Sequence, residues 1–344
     1  MTAADIRVNG GRGYFFGTTP GAPSRRSWHH RPVHSRLLAA VAVATLLAGC
    51  GGRPAAQPSP TTSPSPVVVV ARRVPARGDV LVQRPWGRGA AAFGRYSGGA
   101  ATSVPGSVVA LPDGELLVLD SVNARFVRFA PDGRHLGDVA LPVRAGGVSE
   151  TTAAAYDDST ATAYAYDSET SRLLAVNGST VRAITVARPS SARRADVPIA
   201  VAADGTVYRK DGDAWAPLLA DGPSLAGAPT AAGPVTLTVV RGSPAVGIVV
   251  GTSRSSVRLP ATVLDVQHLP SRDGAVWLFA NLASGDRVRT VVVRVAARLD
   301  AATFADVSFD PSGDVVQPAA VTRDAVVVMT GNDAGLSLVR YRLG

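Results

Sequence analysis

Few side chains in this sequence could act as nucleophiles or as general acids and bases. The chain has one cysteine, Cys50, and the only histidines beyond it are His135 and His268. Its glutamates are Glu115, Glu150 and Glu169. A Ser-His-Asp triad would need one of the two histidines, and no G-x-S-x-G turn is present. We therefore predict no catalytic residue and no cofactor.

Acidic and amide side chains are more numerous, and most of them lie in short turn sequences. Their oxygens could bind calcium. However, Asp and Asn are favoured in such turns for backbone reasons alone, and no stretch has the regular carboxylate spacing of a calcium loop. We interpret them as turn residues and predict no metal site. The set is Asp113, Asp120, Asn123, Asp132, Asp204, Asp211, Asp213, Asp273, Asn332 and Asp333.

The N-terminal region has the layout of a secretory signal. Four arginines between Arg25 and Arg36 precede the small and apolar run Leu37 to Ala48. Twelve residues form a helix of only about 18 Å, which is too short for a hydrocarbon core of about 30 Å. The run therefore predicts a signal peptide and not a transmembrane anchor.

The apolar run ends in Leu47-Ala48-Gly49-Cys50, which resembles the lipobox of bacterial lipoprotein precursors at all four positions. The resemblance implies that a signal peptidase recognises Leu47, Ala48 and Gly49 and cleaves before Cys50. It also implies a diacylglyceryl group on the Cys50 thiol. Two acyl chains give stable membrane anchoring. The expected location is the extracytoplasmic face of the cell membrane.

Two features of the leader stay open. Residues 24–28 (SRRSW) resemble the start of a twin-arginine export signal, but ten residues separate Arg26 from the apolar run, so both export routes are retained. Translation could also begin nearer Val33. The predicted signal peptide is residues 1–49, or only the part from about Val33 onward if translation begins there. Residues 50–66, rich in proline, serine and threonine, are a predicted semi-rigid tether.

Removal of the leader also changes the charge. The whole chain carries +9, but residues 1–49 hold six arginines and one acid, which leaves 29 basic and 25 acidic residues. The remaining arginines are scattered along the sequence and form no basic stripe. We therefore expect no nucleic-acid partner.

From Val67 to Gly344 the sequence predicts a single all-β domain. Short runs of Val, Leu, Ile, Thr and Tyr alternate with Asp-Gly and Asn-Gly turns. The clearest segment, 107–142, divides into strands at 107–111, 115–119, 125–129 and 135–141, with Asp113-Gly114 and Asp132-Gly133 as hairpin turns. Four antiparallel strands in about 36 residues have the size of one propeller blade.

This segment resembles the NHL repeat, with Val118, Asp120, Asn123 and Arg125 at the positions of its V-x-D-x-x-N-x-R core. The resemblance covers one blade and implies a β-propeller. Weaker copies predict six four-stranded blades, with five as the alternative. The last blade lacks one strand, and we predict that Asp79–Gln83 supplies it and so closes the ring.

A propeller gives several residues candidate positions for binding. His135 is expected in an exposed outer strand, and His268 at the channel end of an inner strand. Propellers resembling the gluconolactonases bind a divalent metal in the channel, and Glu150 is the glutamate best placed for that role. A recognition face would use Trp86, Tyr96, Trp215, Trp277 and Arg272.

The sequence therefore predicts a lipid-anchored propeller that binds a protein, a peptide or a cell-wall component. The alternative is a metal-dependent hydrolase or lactonase with its site in the channel. Three or more acidic or amide side chains at one channel mouth would favour the enzyme. An arginine-rich or apolar rim would favour binding.

Overall fold

The computed structural model describes residues 67–98, 101–143, 151–187, 197–219, 221–307 and 315–343. Within these ranges all of the regular secondary structure is β-strand. The described residues therefore contain no helix that could cross a membrane.

The first thirteen strands run from the N-terminal side of the domain through its second blade. They are β1 (Val67–Val70), β2 (Arg72–Arg73), β3 (Gly78–Arg84), β4 (Tyr96–Gly98), β5 (Ala101–Ser103), β6 (Ser107–Ala110), β7 (Leu116–Asp120), β8 (Arg125–Phe129), β9 (His135–Ala140), β10 (Thr151–Asp157), β11 (Thr162–Asp167), β12 (Arg172–Asn177) and β13 (Thr180–Thr185).

The remaining strands complete the domain. They are β14 (Ile199–Val201), β15 (Val207–Asp211), β16 (Ala214–Pro217), β17 (Val235–Val239), β18 (Ala245–Val250), β19 (Ser253–Arg258), β20 (Val263–Leu269), β21 (Val276–Ser284), β22 (Arg287–Val295), β23 (Ala302–Asp306), β24 (Val315–Val321), β25 (Ala325–Asn332) and β26 (Gly335–Arg342).

These strands form a six-bladed β-propeller. Blade 1 is β6–β9, blade 2 is β10–β13, blade 3 is β14–β16, blade 4 is built on β17–β19, blade 5 on β20–β23 and blade 6 on β24–β26. At five of the six junctions the first strands of neighbouring blades contact one another, and the first strands together surround the central channel. The prediction of an all-β propeller with six blades is confirmed. The described part of blade 3 has three strands, and β4 and β5 form a separate hairpin.

The ring is closed by an N-terminal strand, as predicted. Strand β3 pairs antiparallel with β26, and Val82 lies opposite Leu338 in that register. A Cβ atom at Gly133 would lie 2.0 Å from the backbone oxygen of Leu81. Gly133 also has a φ of 86°, so this turn requires glycine where the closing strand crosses it.

The N-terminal segment does more than close the last blade. Strand β1 pairs in parallel with β19 as the fourth strand of blade 4, and β2 pairs in parallel with β23 as a fifth strand of blade 5. Residues 67–84, which we call the strap, therefore line the outer edges of three successive blades. The sequence predicted only its last part, because four consecutive valines have no alternation and a two-residue strand gives no pattern.

Buried apolar clusters join five of the six pairs of neighbouring blades. They lie between blades 1 and 2, 2 and 3, 4 and 5, 5 and 6, and 6 and 1. In the part of the chain that the structure describes, no such cluster joins blade 3 to blade 4. One face of the blade 4 sheet is correspondingly uncovered, since Thr238, Val249, Ser256 and their neighbours on that face are not buried.

Blade 4 also differs from blade 5 in direction. The turn after β17 contacts the start of β20, where the Val263 amide donates a 3.0 Å hydrogen bond to the Ser243 carbonyl. At the other end Val235, which begins β17, lines the same small cavity as His268 near the end of β20. The first strands of blades 4 and 5, β17 and β20, therefore run antiparallel to each other.

Candidate functional site at the channel mouth

Five of the turn residues that could have bound a cation accept hydrogen bonds from backbone amides instead. Each of five carboxylate or amide oxygens accepts a hydrogen bond of 2.9–3.1 Å from the amide two residues later. They belong to Asp113, Asp132, Asp204, Asp273 and Asn332. Within the described ranges no three His, Cys, Asp or Glu side chains are close enough to share a metal ion.

The residues at the NHL-like positions form a buried network. Asp120 is fully buried and accepts hydrogen bonds from the Asn123 side chain at 2.8 Å and from Arg125 Nε at 3.1 Å. Arg125 also donates to Asp138 at 2.7 Å and to the carbonyls of Gly89 and Ala92. The network therefore attaches the segment that follows β3 to blade 1.

Asp120 and Arg125, the buried charged groups of this network, pair with one another, as in a site that stabilises the fold. Burial raises the pKa of the Asp120 carboxyl, while the Asn123 side chain and the Arg125 charge oppose that rise. The Gly94 amide donates a further hydrogen bond of 3.1 Å to the same carboxylate. The carboxylate has no exposed surface for a ligand.

The most distinctive polar contact of the molecule crosses the channel mouth. Arg272 lies in the turn after β20 of blade 5, and Asp158 lies in the turn after β10 of blade 2. The guanidinium donates to both carboxylate oxygens at 2.5 and 2.7 Å, and to the Ala110 carbonyl of blade 1 at 2.8 Å. Blades 2 and 5 are three places apart in the ring, so the side chain spans this mouth.

Further charged and aromatic groups surround this ion pair. The Arg272 guanidinium lies over the Tyr156 ring, 6.0 Å from its centroid. Burial, together with the carboxylates of Asp158 and Asp113, raises the pKa of the Tyr156 hydroxyl. Glu115 and Arg128 form a second pair at 2.7 Å. The described mouth therefore presents two ion pairs and a protonated tyrosine hydroxyl.

The two histidines lie apart from this cluster. His268 is half-buried beside Val235, and burial lowers the pKa of its imidazole to about 4. His135 is half-buried too, since its Nε2 lies 2.8 Å from Asp138 and its ring packs on Phe129. The expectation of a freely exposed His135 was therefore wrong, because the carboxylate and the aromatic ring hold it.

The five candidates for a recognition face are spread over different environments. Trp277 is buried between blades 5 and 6 and belongs to the core. Trp86 stacks with Arg95 and donates from Nε1 to the Asn332 carbonyl at 2.7 Å. Trp215 is half-buried and Tyr96 is exposed. Only Arg272 of this set lies at the described channel mouth.

Several predicted residues lie outside the described ranges. They are the lipid-attachment residue Cys50, the recognition residues Leu47, Ala48 and Gly49, and Glu150. Their predicted roles stay predictions.

Comparison with known proteins identifies no relative by sequence. No protein-family model matches the chain, and no curated protein matches it either. Solved structures with similar folds include virginiamycin B lyase from Staphylococcus aureus, at 9% identity and a TM-score of 0.42, over 70% of this chain and 95% of that one. A DUF4221 member from Bacteroides vulgatus matches at 7% and 0.43, over 78% and 98%.

The PQQ-bound aldose sugar dehydrogenase from Streptomyces coelicolor matches at 16% identity with a TM-score of 0.47, over 79% of this chain and 99% of that one. At these identities the likeness concerns the fold alone, and enzymes are among the similar structures. We transfer no activity from them.

Proposed function

We propose that this protein is a lipoprotein anchored through Cys50 on the extracytoplasmic face of the cell membrane, where its propeller binds a protein, a peptide or a cell-wall component. The observation that carries the binding role is the Arg272–Asp158 pair across the channel mouth. It supplies charged, partly exposed groups on a rigid ring, and such a surface suits recognition.

The metal-dependent hydrolase alternative has less support. Among the described residues at the mouth, Glu115 and Asp158 are each paired with an arginine. Neither carboxylate is therefore free to act as a metal ligand or a general base without the loss of an ion pair. Glu150, the glutamate predicted for the metal-binding role, lies outside the described ranges.

The anchor is tested by mass spectrometry of the membrane-associated protein beside a Cys50→Ala variant. We expect a mature chain that begins with a lipid-modified Cys50, and a variant that is unprocessed or shed. An unmodified Cys50 within an intact cytosolic chain would overturn the lipoprotein assignment.

The binding face is tested by photo-crosslinking in cells. A crosslinking residue at Asp113, in the turn after β6 at the channel mouth, is compared with one at Asp213, in the turn between β15 and β16. We expect a discrete adduct from position 113 and none from position 213. Equal labelling from both positions, or from neither, would contradict recognition at this mouth.

A further inference from the structure

An apolar segment and a basic segment that are distant in the sequence meet on blade 4. Residues 67–70 are four valines, and residues 235–261 hold three arginines and no acidic residue. The parallel pairing of β1 with β19 places these segments side by side, with Val68 opposite Ser256 and Val70 opposite Arg258. The fold therefore places the valines of β1 beside the arginines of β19, although almost two hundred residues separate them in the sequence.

The same strands expose apolar surface. Residues opposite one another in adjacent strands share a sheet face, so Val68, Val70, Val249, Arg254, Ser256 and Arg258 form one surface, the open face of blade 4. None of these residues is buried, and Val68 and Val70 are 67% and 70% exposed. Strand β1 is also an edge strand of its sheet.

The arginines of this face are available for a partner. Neither Arg254 nor Arg258 forms an ion pair with any residue that the structure describes. A surface that combines exposed valines with unpaired guanidinium groups matches the boundary of an anionic bilayer, where basic groups contact head groups and apolar side chains enter the interface.

We propose that the open face of blade 4 rests on the anionic phospholipid surface to which the chain is tethered. This inference rests on the proposed lipid anchor at Cys50. The chain enters the propeller at Val67, on the strand that carries the exposed valines. A tether of residues 51–66 spans at most about 55 Å, which leaves this strand within reach of the membrane. The arginines and valines of this face would then fix the orientation of the propeller on the membrane. The blades farther round the ring would stay free to bind a partner.

The test measures membrane contact without the lipid. The mature chain from residue 50, with Cys50→Ser, is mixed with vesicles of phosphatidylglycerol and phosphatidylcholine or of phosphatidylcholine alone. We expect binding to the anionic vesicles that is stronger by at least about tenfold and is lost at high salt. The double variant Arg254→Ser with Arg258→Ser should lose most of it.

The matched control removes the same charge elsewhere. Arg172→Ser with Arg182→Ser changes two exposed arginines on the outer strands of blade 2 and should leave vesicle binding within about twofold of the parent chain. In the same cysteine-free background, a fluorophore at Val70→Cys should be quenched by spin-labelled lipid, and one at Asp213→Cys should not.

Three results would overturn the proposal. They are equal binding to neutral and anionic vesicles, equal loss in the two double variants, and dimerisation of the unlipidated chain that Arg254→Ser with Arg258→Ser abolishes, which would assign the face to a second copy. Because the vesicle test omits the lipid, its failure is distinguishable from failure of lipidation at Cys50, which mass spectrometry reports separately.

Discussion

The guanidinium of Arg272 in blade 5 donates two hydrogen bonds to the carboxylate of Asp158 in blade 2, on the opposite side of the ring. Apolar clusters join five of the six pairs of neighbouring blades, whereas this contact joins blades that are not neighbours. It therefore couples two halves of the ring at the channel mouth.

We predict that Arg272→Ala lowers the free energy of unfolding by about 1 kcal/mol. The pair is bidentate but partly exposed, and exposed pairs contribute about 0–1 kcal/mol. A double-mutant cycle with Asp158→Ala, measured by urea unfolding, should give most of this value as coupling. Additive losses in the two single variants would show that the contact has no energetic role in solution.

The buried network on blade 1 should respond more strongly. We predict that Asp120→Ala lowers the free energy of unfolding by about 3–5 kcal/mol, because it removes the fully buried one of the two carboxylates that pair with the buried Arg125. Asp138→Ala is the matched control on the same guanidinium. The Asp138 carboxylate is partly exposed, so we expect this variant to lose about 1 kcal/mol of stability. Similar losses in the two variants would contradict the structural role assigned to Asp120.

Much of the strand layout was predictable because its signals are local. Asp-Gly turns ended strands where expected, and Gly114 and Gly133 both adopt the positive φ that such turns need. Strand β3 was predictable for a different reason. The last blade lacked a strand, and Asp79–Gln83 was the one unassigned strand-like run near the other terminus.

The features that the sequence did not predict depend on contacts between distant parts of the chain. Blade 4 has only three strands of its own, and its fourth comes from Val67–Val70, about 190 residues earlier. The Arg272–Asp158 pair depends on which turns the ring brings together, and no local pattern encodes that. The open face of blade 4 combines valines of β1 with arginines of β19, and only the pairing of these two distant strands brings them together.

Closure of the ring by the strap gives a prediction with a control on the same strand. Val82 of β3 is 3% exposed and packs into the cluster between blades 6 and 1, whereas Val80 is 61% exposed. We predict that Val82→Ala lowers the free energy of unfolding by about 2 kcal/mol, and that Val80→Ala changes it by less than about 0.5 kcal/mol. Denaturant unfolding of both variants tests this, and equal effects would show that β3 does not pack in solution as described.

The last prediction concerns pH. The imidazole of His268 has a pKa of about 4 in the folded protein, below its ordinary value of 6.5, because burial disfavours the charged form. At neutral pH the group is uncharged in both the folded and the unfolded chain. As the pH falls from 6.5 towards 4, the unfolded chain binds a proton that the folded chain resists, so this contribution to stability decreases.

The loss should reach up to about 3 kcal/mol when the pH has fallen to about 4. Other groups titrate in the same range, so the readout is the difference between the parent protein and His268→Gln, followed by urea unfolding across the interval. We expect the variant to lose less stability on acidification than the parent protein does. If the stability of His268→Gln depends on pH as that of the parent protein does, the prediction is wrong. The imidazole would then be protonated as readily in the folded protein as in the unfolded chain.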